Sequence, residues 1–177
     1  MECVEGKDTG DLQYGLTRVS WDADKSRRSV RSDEVQSHNK TRMAVEYELD
    51  GDISEEEVMA LYEANGWSSA KKPKTLMAAL RNAHSLATAR LEGRLVGLGN
   101  AISDGHLLVY YPHLLVHPAY QRQGIGKAIV KRLQERYRDL HQQMLTADRD
   151  AIEFYEKLGF VRSGKTEPMW IYQGDEH

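Results

Sequence analysis

The sequence predicts a mixed α/β fold, built on one mixed sheet of about six or seven strands, and three observations lead there. Short alternating or continuous apolar runs recur between segments with a helical 3.6-residue period from Ala44 onward. One apolar run, Leu114-Leu115-Val116, passes through a short turn into Gly124 and Gly126, which open a strongly amphipathic helix. The chain has 177 residues, of which 40% are hydrophobic, enough to bury one good core in a single domain.

The elements follow in order. Residues 1–42 carry eight acidic and eight basic side chains with few large apolar ones and no regular period. Such a segment buries too little to offset its ordering entropy, so it reads as a polar, flexible extension with Trp21 docking locally. The alternative is an arm that packs on a partner subunit, and Met43 is a candidate natural start. Residues 43–177 then form the folded domain. Val45, Tyr47 and Leu49 alternate against Ala44, Glu46 and Glu48, as in a half-buried strand. Ser54 and Glu57 make a capping box for a helix that puts Val58, Leu61 and Tyr62 on one face and ends at Asn65-Gly66. Leu76, Leu80 and Ala83 mark a second helix. Residues 86–103 read as a hairpin turning at Glu92-Gly93, and residues 107–117 as a further strand.

After the glycines, Ile125, Ile129, Leu133 and Tyr137 share one helix face, while Lys131, Arg132, Glu135 and Arg138 lie away from it. A buried strand at Met144-Leu145-Thr146 follows. Residues 150–158 form a short helix with Ala151, Phe154, Tyr155 and Leu158 on one side, and Gly159 ends it. Strands at 160–163 and 169–173 complete the sheet. The strand, helix and strand around the glycines predict a right-handed crossover between parallel strands.

The strand-to-helix turn is the most informative stretch. Glycines remove the Cβ atoms that hold a backbone away from a ligand, and the first turn of a helix has N–H groups without intrahelical acceptors in a positive local field. A pyrophosphate suits such a place, and Arg122 and Lys127 add full charges beside it. Two familiar phosphate loops fail on spacing. A dinucleotide fingerprint needs Gly where Ile129 stands, and a P-loop needs Gly at Gln121 and Ser or Thr at Ala128.

What remains is Gln-x-x-Gly-x-Gly, formed by Gln121, Gly124 and Gly126 after the strand Leu114-Leu115-Val116. This resembles the acyl-CoA signature of the GNAT superfamily of N-acyltransferases. Ala151-Ile152-Glu153-Phe154-Tyr155-Glu156-Lys157-Leu158-Gly159-Phe160 resembles the C-terminal helix-and-strand motif of the same superfamily, and the likeness runs over roughly residues 43–173. It implies helices on both faces of the sheet and a gap between splayed strands 4 and 5 that takes the pantetheine arm of acetyl-CoA, the expected co-substrate. By that resemblance the backbone of Leu114, Leu115 and Val116 pairs with pantetheine, and Gln121, Arg122, Gln123, Gly124, Ile125, Gly126 and Lys127 hold the phosphates. Asp148 stands where many relatives have an Asn bonding to the cofactor arm, and a carboxylate cannot donate as an amide does.

Acyl transfer from a thioester to an amine needs a donor at the oxyanion, here a backbone N–H near Val116, and a proton for the departing thiolate. Tyr155 matches the position of the acid in many relatives, although a core aromatic on an apolar helix face fits its spacing equally well. The base is open. Tyr110-Tyr111-Pro112-His113 replaces the carboxylate or histidine common in relatives, leaving His113, Tyr110 acting through water, or no dedicated base. Alternation puts His113 with Tyr111 on one face and Tyr110 with Pro112 on the other. The loop from Asn65 to Ser69, with Tyr62 and Tyr111, would line an aromatic acceptor pocket.

The expected activity is therefore N-acetyl transfer to a primary amine in a direct ternary complex, a small amine being favoured over protein. A non-catalytic acyl-CoA sensor is the alternative. The net charge of −3 provides no overall basic field for nucleic acid, and the single cysteine, Cys3, excludes an internal disulfide framework and a cysteine-rich zinc site. His113 and His117 lack the pattern of a metal site. Without a visible leader or long apolar run, no membrane association is expected and a cytoplasmic location is the default. Homodimerisation is left open.

Overall fold

The computed structural model describes residues 44–169 and residue 171. The expected flexible extension over 1–42 lies outside them. Strand β1 (Glu46–Leu49) is followed by helix α1 (Glu55–Ala64), a 3-10 turn at Ser68–Lys71 and helix α2 (Pro73–Arg81). Strands β2 (Ser85–Leu91) and β3 (Arg94–Ser103) form the expected hairpin, with Glu92 and Gly93 at φ 50° and 77° in its turn. Then come β4 (Leu108–Tyr110), β5 (Leu114–Val116), helix α3 (Ile125–Arg136), β6 (Gln142–Met144) and, after a 3-10 turn at Arg149–Ala151, helix α4 (Ile152–Glu156).

The sheet has the order β1-β2-β3-β4-β6, with β5 also paired to β3. All pairs are antiparallel except β4 with β6. The parallel pair is the one joined through α3, because a parallel connection needs a crossover long enough to hold a helix. Alternation along β2 and β3 divides the core in two. Leu86 and Leu98 face α1 and α2, whose Val58, Leu61, Tyr62, Leu76 and Leu80 are buried there. Ala87, Ala89 and Val96 face α3, whose Ile125, Ile129, Leu133 and Tyr137 are buried as the helical period predicts. Burial of each such aliphatic side chain contributes roughly 1.5–3 kcal/mol.

Two glycines of β3 set how closely α3 approaches. A Cβ at Gly97 would stand 3.1 Å from Ile129 Cδ1, and one at Gly99 would stand 2.9 Å from Ile129 Cγ2. The other end of α3 is fixed by Gln143, which donates to the carbonyl of Tyr137 at 3.1 Å and accepts from the buried Tyr111 hydroxyl at 2.7 Å. The capping box of α1 is present, and Arg90 grips its Glu57 from β2.

Three expectations are corrected. The predicted strand 107–117 is two strands, interrupted at Tyr111-Pro112-His113. The strand expected at 144–146 lies earlier, at Gln142–Met144, because Gln142 and Gln143 pair with Leu108 and Val109. No strand forms at 160–163: Phe160 turns back onto Tyr155 and Tyr111, with ring centroids 5.9 and 6.2 Å apart, and the chain turns at Ser163–Thr166. Met169 and Ile171 are not in a strand either, and the remainder of that expected strand lies outside the described residues.

Candidate active site

The interruption between β4 and β5 is a β-bulge. Ile102 pairs with Tyr110 and Gly99 with Leu114, so three steps along β3 match four along its partner. One extra residue reverses the facing of everything beyond it. Tyr111 therefore points to the α3 side, 8% exposed among Tyr137 and Phe160, while His113 points to the α1 side against Tyr62 and Trp67. The expected pairing of His113 with Tyr111 on one face is overturned, and Tyr111 is no part of an aromatic acceptor pocket. Asn100 holds the bulge: its N–H donates to the His113 carbonyl at 3.2 Å and its side-chain oxygen accepts the His113 N–H at 3.2 Å.

The bulge also opens the sheet. The last rung between β4 and β6 is the Tyr111 N–H to the Met144 carbonyl, 3.0 Å. Beyond it β5 has β3 on one side and, among the described residues, no strand on the other. Hydrogen bonds from His117 N–H to Val96 O and from Asn100 N–H to His113 O fix the alternation. Leu98 and Leu115 therefore form the bonded pair between them, whereas Leu114 and Val116 turn their backbone groups into the gap. Of the three residues expected to meet pantetheine, Leu114 and Val116 are open and Leu115 is committed to β3. The Val116 N–H, suggested as the oxyanion donor, is on the open side, and Gln121 Nε2 donates to the Val116 carbonyl at 3.0 Å.

The gap runs to the N-terminus of α3. Gly124 is the N-cap at φ 87°, with no side chain to satisfy the first-turn N–H groups of Ile125, Gly126 and Lys127. Arg122 also has a left-handed φ of 60°, a conformation that non-glycine residues seldom adopt and that is often held at functional sites. A Cβ at Gly126 would sit in ordinary van der Waals contact with Phe154 and Val116, each at 3.6 Å, and with Leu114 at 3.9 Å, so the first turn of α3 lies against β5 and α4. Arg122, Gln123 and Lys127 are exposed around it, with Gln123 Nε2 donating to the Ala119 carbonyl at 3.4 Å. These groups suit a pyrophosphate: clustered backbone donors, two cations and an uncapped helix end.

Tyr155 of α4 is half-buried between Phe154 and Phe160. Burial, reinforced by the Asp148 carboxylate and the Tyr110 phenol nearby, pushes its hydroxyl up to about 12. Asp148 is exposed and caps the 3-10 turn before α4, where its carbonyl accepts the Ala151 N–H at 2.9 Å. Tyr110 lies across from it, its hydroxyl 3.0 Å from Thr146 Oγ1. Tyr155, Tyr110 and Asp148 are thus near enough for Asp148 and Tyr110 to raise the Tyr155 hydroxyl, whereas His113 contacts Tyr62 and Trp67. Its Nδ1 is 2.7 Å from the hydroxyl of Tyr62, which is fully buried, and burial lowers the imidazole below its ordinary value, keeping it neutral. If Nδ1 carries the proton and donates to the phenol, Nε2 has the lone pair a base needs. If the phenol donates, it does not.

Pro112 marks a local break in strand pairing from the sequence alone, since proline in a strand marks an edge or a bulge, but Asn100, Thr146 and the extra residue that makes the break a bulge were missed.

A sequence profile of the acetyltransferase (GNAT) domain matches residues 49–168, and the chain belongs to that family. It is 35% identical over 123 residues to the histone acetyltransferase TAP1 of Glycine max, an alignment covering 62% of this chain and 53% of the relative. It is 31% identical over 132 residues to the GCN5-related N-acetyltransferase 2, chloroplastic, of Arabidopsis thaliana, covering 62% and 51%. The chain spans about half the length of these curated relatives. Among solved structures, a GNAT-family acetyltransferase from Streptococcus pneumoniae superposes with a TM-score of 0.65 at 27% identity, covering 73% of this chain and 99% of that one.

Proposed function

We propose that the protein transfers an acetyl group from acetyl-CoA to a primary amine by direct attack in a ternary complex. One observation carries the reading: the backbone groups of Leu114 and Val116 that β3 does not take lie beside the uncapped N-terminus of α3, where a Cβ at Gly126 would be 3.6 Å from both Val116 and Phe154, the residue before Tyr155. An acyl-pantetheine chain anchored by its pyrophosphate at Gly124–Lys127 has a strand-like berth there. Acetyl-CoA supplies the activated thioester. The amine nitrogen attacks the thioester carbonyl, the carbon–sulfur bond breaks, and the thiolate takes a proton from Tyr155 while the amine's proton passes to a base or to water. The Val116 N–H serves the oxyanion. A phenol at about 12 remains protonated through the neutral range, and the same burial that raises it also raises the proton affinity of a thiolate leaving into the gap.

For the acceptor, a small amine is favoured by the packed Tyr62, Trp67 and His113 rings on the α1 side of the bulge. A protein lysine is the second reading, and the relative named a histone acetyltransferase is what favours it. Thiol release from acetyl-CoA over a panel of arylalkylamines, polyamines, amino acids and histone-tail peptides tests both. Turnover of small amines alone supports the first reading, and turnover of the peptides alone the second. Binding of acetyl-CoA without turnover of any of them favours a sensor.

A further inference from the structure

The Gln121 side chain bridges two elements. Its amide nitrogen donates to the Val116 carbonyl at 3.0 Å, inside the gap, and lies 3.5 Å from Asn65 Oδ1 at the end of α1. Asn65 is itself anchored, its Nδ2 donating to the Leu61 carbonyl at 2.8 Å. Two residues on, Trp67 packs edge-on against His113 with centroids 5.1 Å apart. A second feature sits in the same loop: the hydroxyl oxygen of Ser69 is buried with no hydrogen-bond partner among the described residues. Buried polar groups are rarely left so, because the loss of hydration is not offset. This arrangement of the 65–71 loop therefore leaves a bond to be gained by another.

We infer that Gln121 is a positioning residue that couples occupancy of the cofactor gap to the loop Asn65–Lys71. The Val116 carbonyl is an acceptor that any chain pairing with β5 competes for. A strand-like ligand that takes it displaces the Gln121 amide, whose nearest remaining acceptor is the side-chain oxygen of Asn65. The 3.5 Å approach then shortens to a full hydrogen bond, and α1's C-terminal loop moves with Asn65, carrying Trp67 and Ser69. Cofactor binding thus reorganises the loop that faces the acceptor. The two sites share a free energy through one amide, and by reciprocity an ordered loop tightens the cofactor. The inference rests on the acetyltransferase reading, since it needs a ligand in the gap.

The test uses the full chain with Trp21→Phe and Trp170→Phe, which leaves Trp67 as the one remaining tryptophan of three. CoA binding is measured by calorimetry, and Trp67 emission is followed in the same titration. CoA is expected to bind and to shift the emission in the parent. Asn65→Ala, which removes the acceptor, should bind CoA and lose the shift. Asn65→Asp keeps an acceptor oxygen and should retain it, which separates coupling from damage to the fold. CoA binding without an emission shift in the parent, or a shift that persists in Asn65→Ala, overturns the coupling and leaves the acetyltransferase reading standing. Absence of CoA binding in the parent overturns both.

Discussion

Replacing Tyr155 by Phe removes one oxygen from a half-buried ring that packs edge-on against Phe154 and Phe160, with centroids 5.0 and 5.9 Å away. The ring contacts survive, so the fold and the cofactor site should too. With the hydroxyl pushed up to about 12, only about one molecule in 10⁵ is ionised at pH 7, and the proton is available in nearly every enzyme molecule. A positioned acid contributes roughly 10²–10⁴ in rate, so kcat should fall by that factor, about 2.7–5.4 kcal/mol in activation free energy. The affinity for CoA should change little. Because the Asp148 charge helps to hold the proton on Tyr155, Asp148→Asn should move the alkaline limb of the wild-type pH profile to lower pH and leave the Tyr155→Phe profile unmoved. Stopped-flow thiol release with calorimetric CoA binding measures both terms. A loss in kcat below tenfold, or a loss found wholly in CoA affinity, would refute the acid assignment and leave Tyr155 as a packing residue.

Stability should fall as pH drops below about 6.5, because His113 is held neutral by burial in the folded state and takes up a proton more readily when unfolded. Its lowered value makes this contribution full above the unfolded value and lost progressively beneath it, and His113→Gln should flatten the slope of denaturant midpoint against pH. Tyr62→Phe removes the 2.7 Å partner of His113 Nδ1 and should cost about 1–3 kcal/mol in urea unfolding, the range for a buried polar group left unpaired. Gly99→Ala places a Cβ 2.9 Å from Ile129 and should destabilise by about 1–3 kcal/mol, with partial rescue by Ile129→Ala in a double-mutant cycle. Simple additivity would mean that Gly99 does not set the approach of α3. Gly124→Ala keeps open space around its Cβ but strains a φ of 87°, so it should cost about 1–2 kcal/mol and weaken CoA measurably in a titration.

Much of this molecule could be read from local pattern because the pattern is where the physics lies. The Ser54–Glu57 box, the burial of Ile125, Ile129, Leu133 and Tyr137, and the Glu92-Gly93 turn depend on neighbours within a few residues. The glycine turn into α3 was legible for the same reason, since Gly124 and the start of the helix are adjacent in sequence. The bulge was not. It is a mismatch between two strands, three residues of β3 against four of its partner, and Asn100 supports it from across the sheet. Period-two reasoning therefore put Tyr111 and His113 on one face, and each later inference about the base inherited that error. The C-terminal strands failed in another way. Apolar residues such as Val161 alternate plausibly, yet Val161 is 85% exposed because Phe160 has already turned onto Tyr111 and Tyr155. His113 and Tyr155 were visible as candidates, but only the structure shows that Tyr110 is near enough to raise the Tyr155 hydroxyl while His113 is bound to Tyr62.

A cofactor received in the gap beside β5 pairs with alternate backbone groups of that strand. Backbone amide spectra of the isotopically labelled protein, recorded during titration with CoA, test this directly. Slowed hydrogen exchange and large shifts are predicted for the N–H groups of Leu114, Val116 and Gly124–Lys127. Leu115, whose N–H is already spent on β3, should keep its exchange rate. Uniform changes along Leu114–Val116, or changes confined to surfaces away from β5 and the start of α3, would contradict the claim.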